Sequence, residues 1–170
     1  MTSSAPRSAR YTLGLLALFA LLADQLSKHA VERFMPAGST RVLIPGLLSL
    51  VHTSNPGVAF GLFADSSTRW LAPLLIAFSV AVIAVLVWLL VTGRAGGRLA
   101  QSGLTLILGG AAGNVLDRVT RSSVTDFIDF YIGSHHWYTF NIADSAIVVG
   151  AGFVILELLR DWRHPNQERA

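Results

Sequence analysis

Between Trp70 and Val91 the chain passes through aliphatic, aromatic and small residues without one charged side chain. An α-helix rises about 1.5 Å per residue and the hydrocarbon core of a bilayer is about 30 Å thick, so this run is long enough to cross a membrane. Three further apolar runs accompany it, at residues 11–31, 99–116 and 140–159. Composition agrees: hydrophobic residues make up 52% of the chain and charged residues 14%, whereas soluble domains carry roughly 25% charged residues. The expected fold is an all-α membrane protein, one domain over residues 1–170, with four transmembrane helices.

The first run has a second reading, because Arg7 and Arg10 followed by a short apolar core also describe a cleavable signal peptide. An uncleaved span is expected, since it places the arginine-bearing ends on one side. With four spans the two termini and the 92–98 loop share a compartment, and they carry Arg7, Arg10, Arg94, Arg98, Arg160, Arg163 and Arg169. Short basic segments mark the cytoplasmic side, so both termini are expected there. The opposite side holds two longer segments. Residues 40–60 form a β-like stretch in which 40–53 mix β-branched residues with a Pro45-Gly46 turn and read as a hairpin or small sheet on the membrane. The other is a periplasmic loop before the fourth span. Residues 65–68, Asp-Ser-Ser-Thr, offer capping side chains ahead of the second span.

Several chemistries fall away. A net charge of +3 with no basic cluster gives no nucleic-acid footprint. The chain contains no cysteine, which excludes disulfides, thiol nucleophiles and Cys-ligated metals. His135 and His136 lack a second ligand pair at helical spacing and precede Trp137 and Tyr138, so they read as part of an interfacial aromatic belt. Ser145 has no base at a spacing that implies activation. No metal or cofactor is expected.

Ionisable groups within a span are costly unless they pair or line a cavity. Here they gather at one end: Asp24 and Lys28 late in span 1, Asn114, Asp117 and Arg118 late in span 3, and Asn141, Asp144 and Ser145 early in span 4. The trios recur at i, i+3 and i+4, so each occupies one helical face. Asp24 and Lys28 read first as a structural ion pair, and Asp117 with Arg118 as an interfacial salt-bridge element. Asp144 alone could cap a helix, and Asp126 alone could be a solvated acid. With Asp129 they are harder to dismiss, and carboxylates flanked by Val124, Phe127, Ile142 and Ala143 suggest an acid–base pair. Gly109 and Gly113 allow a neighbouring helix to approach closely.

These residues resemble a known signature. Gly-Gly-Ala-Ala-Gly-Asn114-Val-Leu-Asp117-Arg118, then Val124-Thr-Asp126-Phe127, then Phe140-Asn141-Ile-Ala-Asp144-Ser145 resemble the motifs of the lipoprotein signal peptidase family, signal peptidase II of bacteria. Asp24-Gln25-Leu-Ser27-Lys28 and Asn55-Pro-Gly57-Val-Ala59-Phe60 are similar to its two other motifs. The resemblance spans the whole chain. It implies an aspartic endopeptidase of the inner membrane, with its site at the extracytoplasmic face, that removes the signal peptide of diacylglyceryl-modified prolipoproteins just before the lipidated cysteine. It further implies Asp126 and Asp144 as the catalytic dyad, and Asn55, Gly57, Asn114, Arg118 and Asn141 as substrate-binding. Asp24, Lys28 and Asp117 would organise the site. The implied partners are lipid-modified prolipoproteins, membrane lipid and globomycin-type inhibitors. Two positions depart from the family pattern: Ser122 where Gly is usual, and Gly61 where Ser is usual.

The chemistry fits the residues. Without thiol, metal or activated hydroxyl, peptide hydrolysis leaves water activated by one carboxylate while a second carboxyl donates a proton. Neighbouring carboxyls do not both ionise readily, so the pair shares a proton. A Mg²⁺-dependent phospholipid-headgroup transferase is the enzymatic alternative, from the cluster Asp117, Arg118, Arg121, Asp126 and Asp129. The nine-residue gap from Asp117 to Asp126 does not suit a helical metal motif. A transporter or adaptor would need polar residues along the full spans, which are few.

Overall fold

The structure, a computed structural model, describes residues 7–57 and 71–163. The expected capping residues 65–68, and Ala59, Phe60 and Gly61, lie outside the described residues. Elements follow in the order α1 (Arg7–Phe34), β1 (Thr40–Ile44), β2 (Leu48–Asn55), α2 (Leu71–Thr92), α3 (Arg98–Arg121), β3 (Val124–Ile132), β4 (His135–His136) and α4 (Ile142–Arg163). All four helices are long and apolar enough to cross a membrane. Their outward surfaces carry exposed Leu15 and Phe19 of α1, Phe78 of α2 and Val148 and Leu158 of α4. Surfaces of that kind are stable against lipid.

Small residues set the packing. An added Cβ on Gly109 would stand 2.6 Å from the Ala17 carbonyl oxygen and 2.8 Å from the Ala20 Cβ, so α3 lies directly on the backbone of α1. Gly103 of α3 meets the Gly150 carbonyl of α4 with the same closeness. Without a hydrophobic driving force in lipid, such backbone approach supplies the contact. α3 is thus the central helix, with α1 and α4 on its two sides.

The helices outrun the apolar stretches. α3 continues to Arg121 rather than ending near 116, because Asp117 and Arg121 pair along its surface at 2.9 Å. That places Asn114, Asp117 and Arg118 in the body of the helix. It stops at Ser122, whose φ of 60° and ψ of 8° are left-handed, with the Ser122 N–H donating to the Arg118 carbonyl. α4 begins at Ile142 and not at 140: Phe140 pairs with Ile128 of β3, and Asn141 stands as the cap.

The expected hairpin or small sheet is a four-stranded antiparallel sheet in the order β1-β2-β3-β4, in which two strands come from the segment after α3. β1 and β2 turn through Pro45 and Gly46, the latter at φ +79°, with Leu47 N–H donating to the Ile44 carbonyl. β3, Val-Thr-Asp-Phe-Ile-Asp-Phe-Tyr-Ile, comes from the segment after α3 and pairs Asp126 with Thr53 and Val124 with Asn55. The register shifts between Leu50 and Thr53. This pairing brings the two loop systems together over one end of the bundle.

Candidate active site

The polar residues of α1, α3 and α4 meet at the sheet end. Asp24, Lys28, Asp117 and Asn141 are wholly buried, and Asp126 and Asn114 nearly so. Lys28 sits at the centre. Its Nζ donates to Asp24 Oδ2 at 2.8 Å and to Asn114 Oδ1 at 3.0 Å, and it forms an ion pair with Asp117 Oδ2 at 2.6 Å. Asp24 Oδ1 accepts the Ala143 N–H at 2.9 Å, tying the first turn of α4 to α1. Gln25 Nε2 donates to Asp24 Oδ2 and to Asp117 Oδ1, and Arg121 also pairs with Asp117. The expected structural pair Asp24–Lys28 is therefore a buried network, with Asp117 its third charged member.

Asn114 and Asn141 connect this network to two other carboxyls. Asn114 Oδ1 faces Lys28, so its Nδ2 donates to Asp144 Oδ1 at 2.8 Å. Asn141 Oδ1 accepts the Asp144 N–H at 2.9 Å, while the Asn141 N–H donates to Asp144 Oδ2 at 3.3 Å. This reciprocal cap starts α4. The remaining Asn141 group, Nδ2, donates to Asp126 Oδ1 at 2.7 Å. Asn55 Nδ2 reaches Asp126 Oδ2 at 3.0 Å. Asp126 and Asp144 are thus linked through Asn141, and no hydrogen bond joins their carboxyls directly. Burial pushes the Asp126 carboxyl up to about 6; the Asn55 bond opposes this, Asp144 adds to it, and Asn141 and Lys28 oppose it.

Two classes of acid result. Asp24 and Asp117 are ion-paired, whereas Asp126 and Asp144 receive amide N–H groups and, among the described residues, no cation within ion-pair distance. Asp129, three residues from Asp126, points to the other face of β3 and bonds His136 at 2.9 Å, and His136 stacks on Tyr131. The structure thus separates Asp129 from the site. Among the described residues no three His, Asp or Glu side chains gather in a metal-binding group.

The rim completes the geometry. Arg118 Nη1 donates to the Asn114 carbonyl at 3.2 Å, and its buried Nε has no hydrogen-bond partner among the described residues. Gly57, at φ +105°, donates its N–H to Asn55 Oδ1 at 2.9 Å; a Cβ there would collide with Leu75 of α2. All ten residues expected at the site therefore lie in it or on its edge.

A family model described as signal peptidase (SPase) II matches residues 16–160. The chain belongs to the signal peptidase II family. Membership makes it a peptidase and a membrane protein of several spans. It is 43% identical to the lipoprotein signal peptidase of Solibacter usitatus over 146 residues, covering 86% of this chain and 88% of that one. It is 34% identical to that of Maridesulfovibrio salexigens, covering 89% and 97%. Among solved structures it is similar to a bacterial membrane enzyme determined by the in meso method at 2.3 Å, with TM-score 0.81, 29% identity and 94% of each chain covered.

Within this signal peptidase II fold, sequence reasoning assigns no role to Gln25, Glu32 or Thr125. Glu32 Oε1 accepts the Thr125 hydroxyl at 2.6 Å and pairs with Arg121 at 3.2 Å, bracing β3 beside Asp126. No local spacing joins residues 93 positions apart. Arg121 was legible as the i+4 partner of Asp117.

Proposed function

We propose that this peptidase removes signal peptides from diacylglyceryl-modified prolipoproteins by hydrolysing the bond before the lipidated cysteine, with Asp126 and Asp144 handling the attacking water. The observation that carries this reading is the contrast between the two classes of acid. Asp24 and Asp117 have a cation beside them, whereas Asp126 has burial as its largest influence, which raises its carboxyl so that it can exchange a proton closer to neutral pH. Asp126, raised toward 6, suits that work.

In this mechanism one carboxylate takes a proton from water as the oxygen attacks the scissile carbonyl. The other carboxyl protonates the carbonyl oxygen, and the proton later passes to the leaving amine. Asn114 and Asn141 hold the two acids in register. Arg118 Nε, Asn55 and the Gly57 backbone bind the substrate chain, and a globomycin-type inhibitor would occupy the same groups. Asp24, Lys28 and Asp117 position the machinery without touching substrate.

The arginine-bearing ends support cytoplasmic termini and a site at the extracytoplasmic face of the inner membrane. Lipid tails then stay in the bilayer while the scissile bond meets water. The test is gel-shift cleavage of a diacylglyceryl-modified prolipoprotein by purified protein, with and without chelator. Asp126→Asn and Asp144→Asn should each lose at least about a hundredfold in rate. Full activity in either variant, or loss of activity with chelator, refutes the dyad. A C-terminal alkaline phosphatase fusion should be inactive.

A further inference from the structure

Each of the two aspartates assigned to the attacking water follows a residue that α1 holds. Asp24 Oδ1 accepts the N–H of Ala143, the residue before Asp144, at 2.9 Å. Glu32 Oε1 accepts the hydroxyl of Thr125, the residue before Asp126, at 2.6 Å. Asp24, Lys28 and Glu32 recur every four residues and so lie along one face of α1. Eight residues of helix span about 12 Å. The last turns of α1 therefore grip the start of α4 at one point and β3 at another.

Successive residues of a strand point to opposite faces, so the buried Thr125 ties β3 to α1 from one side while the Asp126 carboxyl leaves from the other. There Asn55 Nδ2 and Asn141 Nδ2 meet that carboxyl at 3.0 Å and 2.7 Å. If β3 moved about 1 Å away from these amides, both contacts would exceed hydrogen-bond length. Glu32 is itself held. Arg121 Nη1 lies 3.2 Å from Glu32 Oε1 and 2.9 Å from Asp117 Oδ1, and Asp117 Oδ2 pairs with Lys28. The carboxylate that holds the strand is thus anchored through α3 to the buried cation.

We infer that Glu32 and Thr125 form a positioning pair for Asp126, as Asp24 and the Ala143 N–H do for Asp144, so that α1 sets how the two carboxyls stand to one another. The inference rests on the proposed role of Asp126. Neither Glu32 nor Thr125 supplies a reacting group, so the pair acts on kcat through alignment and leaves substrate binding unchanged. A misplacement of about 1 Å costs about a hundredfold in rate, and release of one tether among several costs less, roughly tenfold. The amides of Asn55 and Asn141 hold the Asp126 carboxyl down, so a strand that slips from them lets it rise.

The experiment measures kcat and KM across pH for cleavage of a diacylglyceryl-modified prolipoprotein. The Glu32 side chain is 25% exposed and its removal leaves Arg121 with Asp117, so Glu32→Ala keeps the fold. This variant should lower kcat roughly tenfold with KM within about twofold, and move the pH limb governed by Asp126 upward. Glu32→Gln removes the charge but keeps an oxygen for the Thr125 hydroxyl, and should restore kcat to within about twofold of the parent and return the limb to its place. Thr125→Val should match Glu32→Ala, and the double variant should be no slower than either single one. An unchanged kcat in Glu32→Ala, a change in KM alone, a limb that stays in place, a Glu32→Gln as slow as Glu32→Ala, or losses that multiply in the double variant overturns the positioning pair and leaves the function standing. Failure of the parent protein to cleave the substrate overturns the function and the pair with it.

Discussion

Replacing Asn55 with alanine moves the titration of Asp126 in a direction the geometry dictates. The Asp126 carboxyl is almost fully buried, and burial raises it to about 6, while the Asn55 Nδ2 bond at 3.0 Å is the largest influence holding it down. A hydrogen bond to a charged group contributes about 1.5–3 kcal/mol. The half-buried setting of Asn55 argues for the lower end. At about 1.4 kcal/mol per pH unit, its loss raises the carboxyl by about one unit. The assay is kcat/KM against pH, which reports groups of the free enzyme. If Asp126 acts as the base, activity at pH 6 falls about fivefold in the variant, since the ionised fraction drops from about one half to about one tenth, and the deficit closes above about pH 8. If Asp126 is the proton donor, the same shift instead extends activity to higher pH. Asn55 Oδ1 also accepts the Gly57 N–H, and losing that turn lowers kcat/KM equally at every pH. A uniform drop with no displacement of either limb refutes the assignment of Asp126.

Lys28→Met leaves the wholly buried Asp24 without a cation and Asp117 with Arg121 alone; thermal unfolding in detergent should reveal a loss of about 3–5 kcal/mol, largely recovered when Asp24 is also changed to Asn. Ser122→Gly relieves a left-handed residue at φ 60° and should stabilise the protein by about 1 kcal/mol in the same assay, with cleavage unchanged. The folded chain keeps the Asp126 proton up to about pH 6, whereas an ordinary carboxyl loses it near 3.8. Stability present below about pH 4 is therefore lost as pH rises to about 6, by up to about 3 kcal/mol, and Asp126→Asn should flatten that slope in unfolding measured across the window.

The helices were legible because charge-free length is a local property, and Trp70 to Val91 needs no tertiary information. Their ends were not. Apolar counting stops at the first charge, but Asp117 and Arg121 carry each other along α3, so that helix continues past Leu116. β3 escaped for a related reason: in Val-Thr-Asp-Phe-Ile-Asp the acids interrupt an otherwise strand-like run, and its partner, β2, lies far earlier in the chain. The site residues were legible as motifs, and i, i+4 spacing already paired Asp24 with Lys28. What the sequence did not show is that Asp117 pairs with Lys28 and Arg121 rather than standing with Arg118, and that amides of Asn114, Asn141 and Asn55 reach Asp144 and Asp126.

That separation follows from how few choices the two asparagines have. An amide presents one acceptor and one donor end, and which end faces a carboxyl decides whether it can bond. Lys28 has no acceptor to offer, so Asn114 must turn Oδ1 toward it and Nδ2 toward Asp144. The N–H of Asp144 likewise claims Asn141 Oδ1, which leaves Nδ2 for Asp126. One buried cation in α1 and one backbone N–H in α4 thus orient both donors. A direct salt bridge to either Asp126 or Asp144 would hold the acid more firmly but would fix its charge. Neutral amides, themselves fixed by charges one step away, hold the two carboxyls in place without an ion pair.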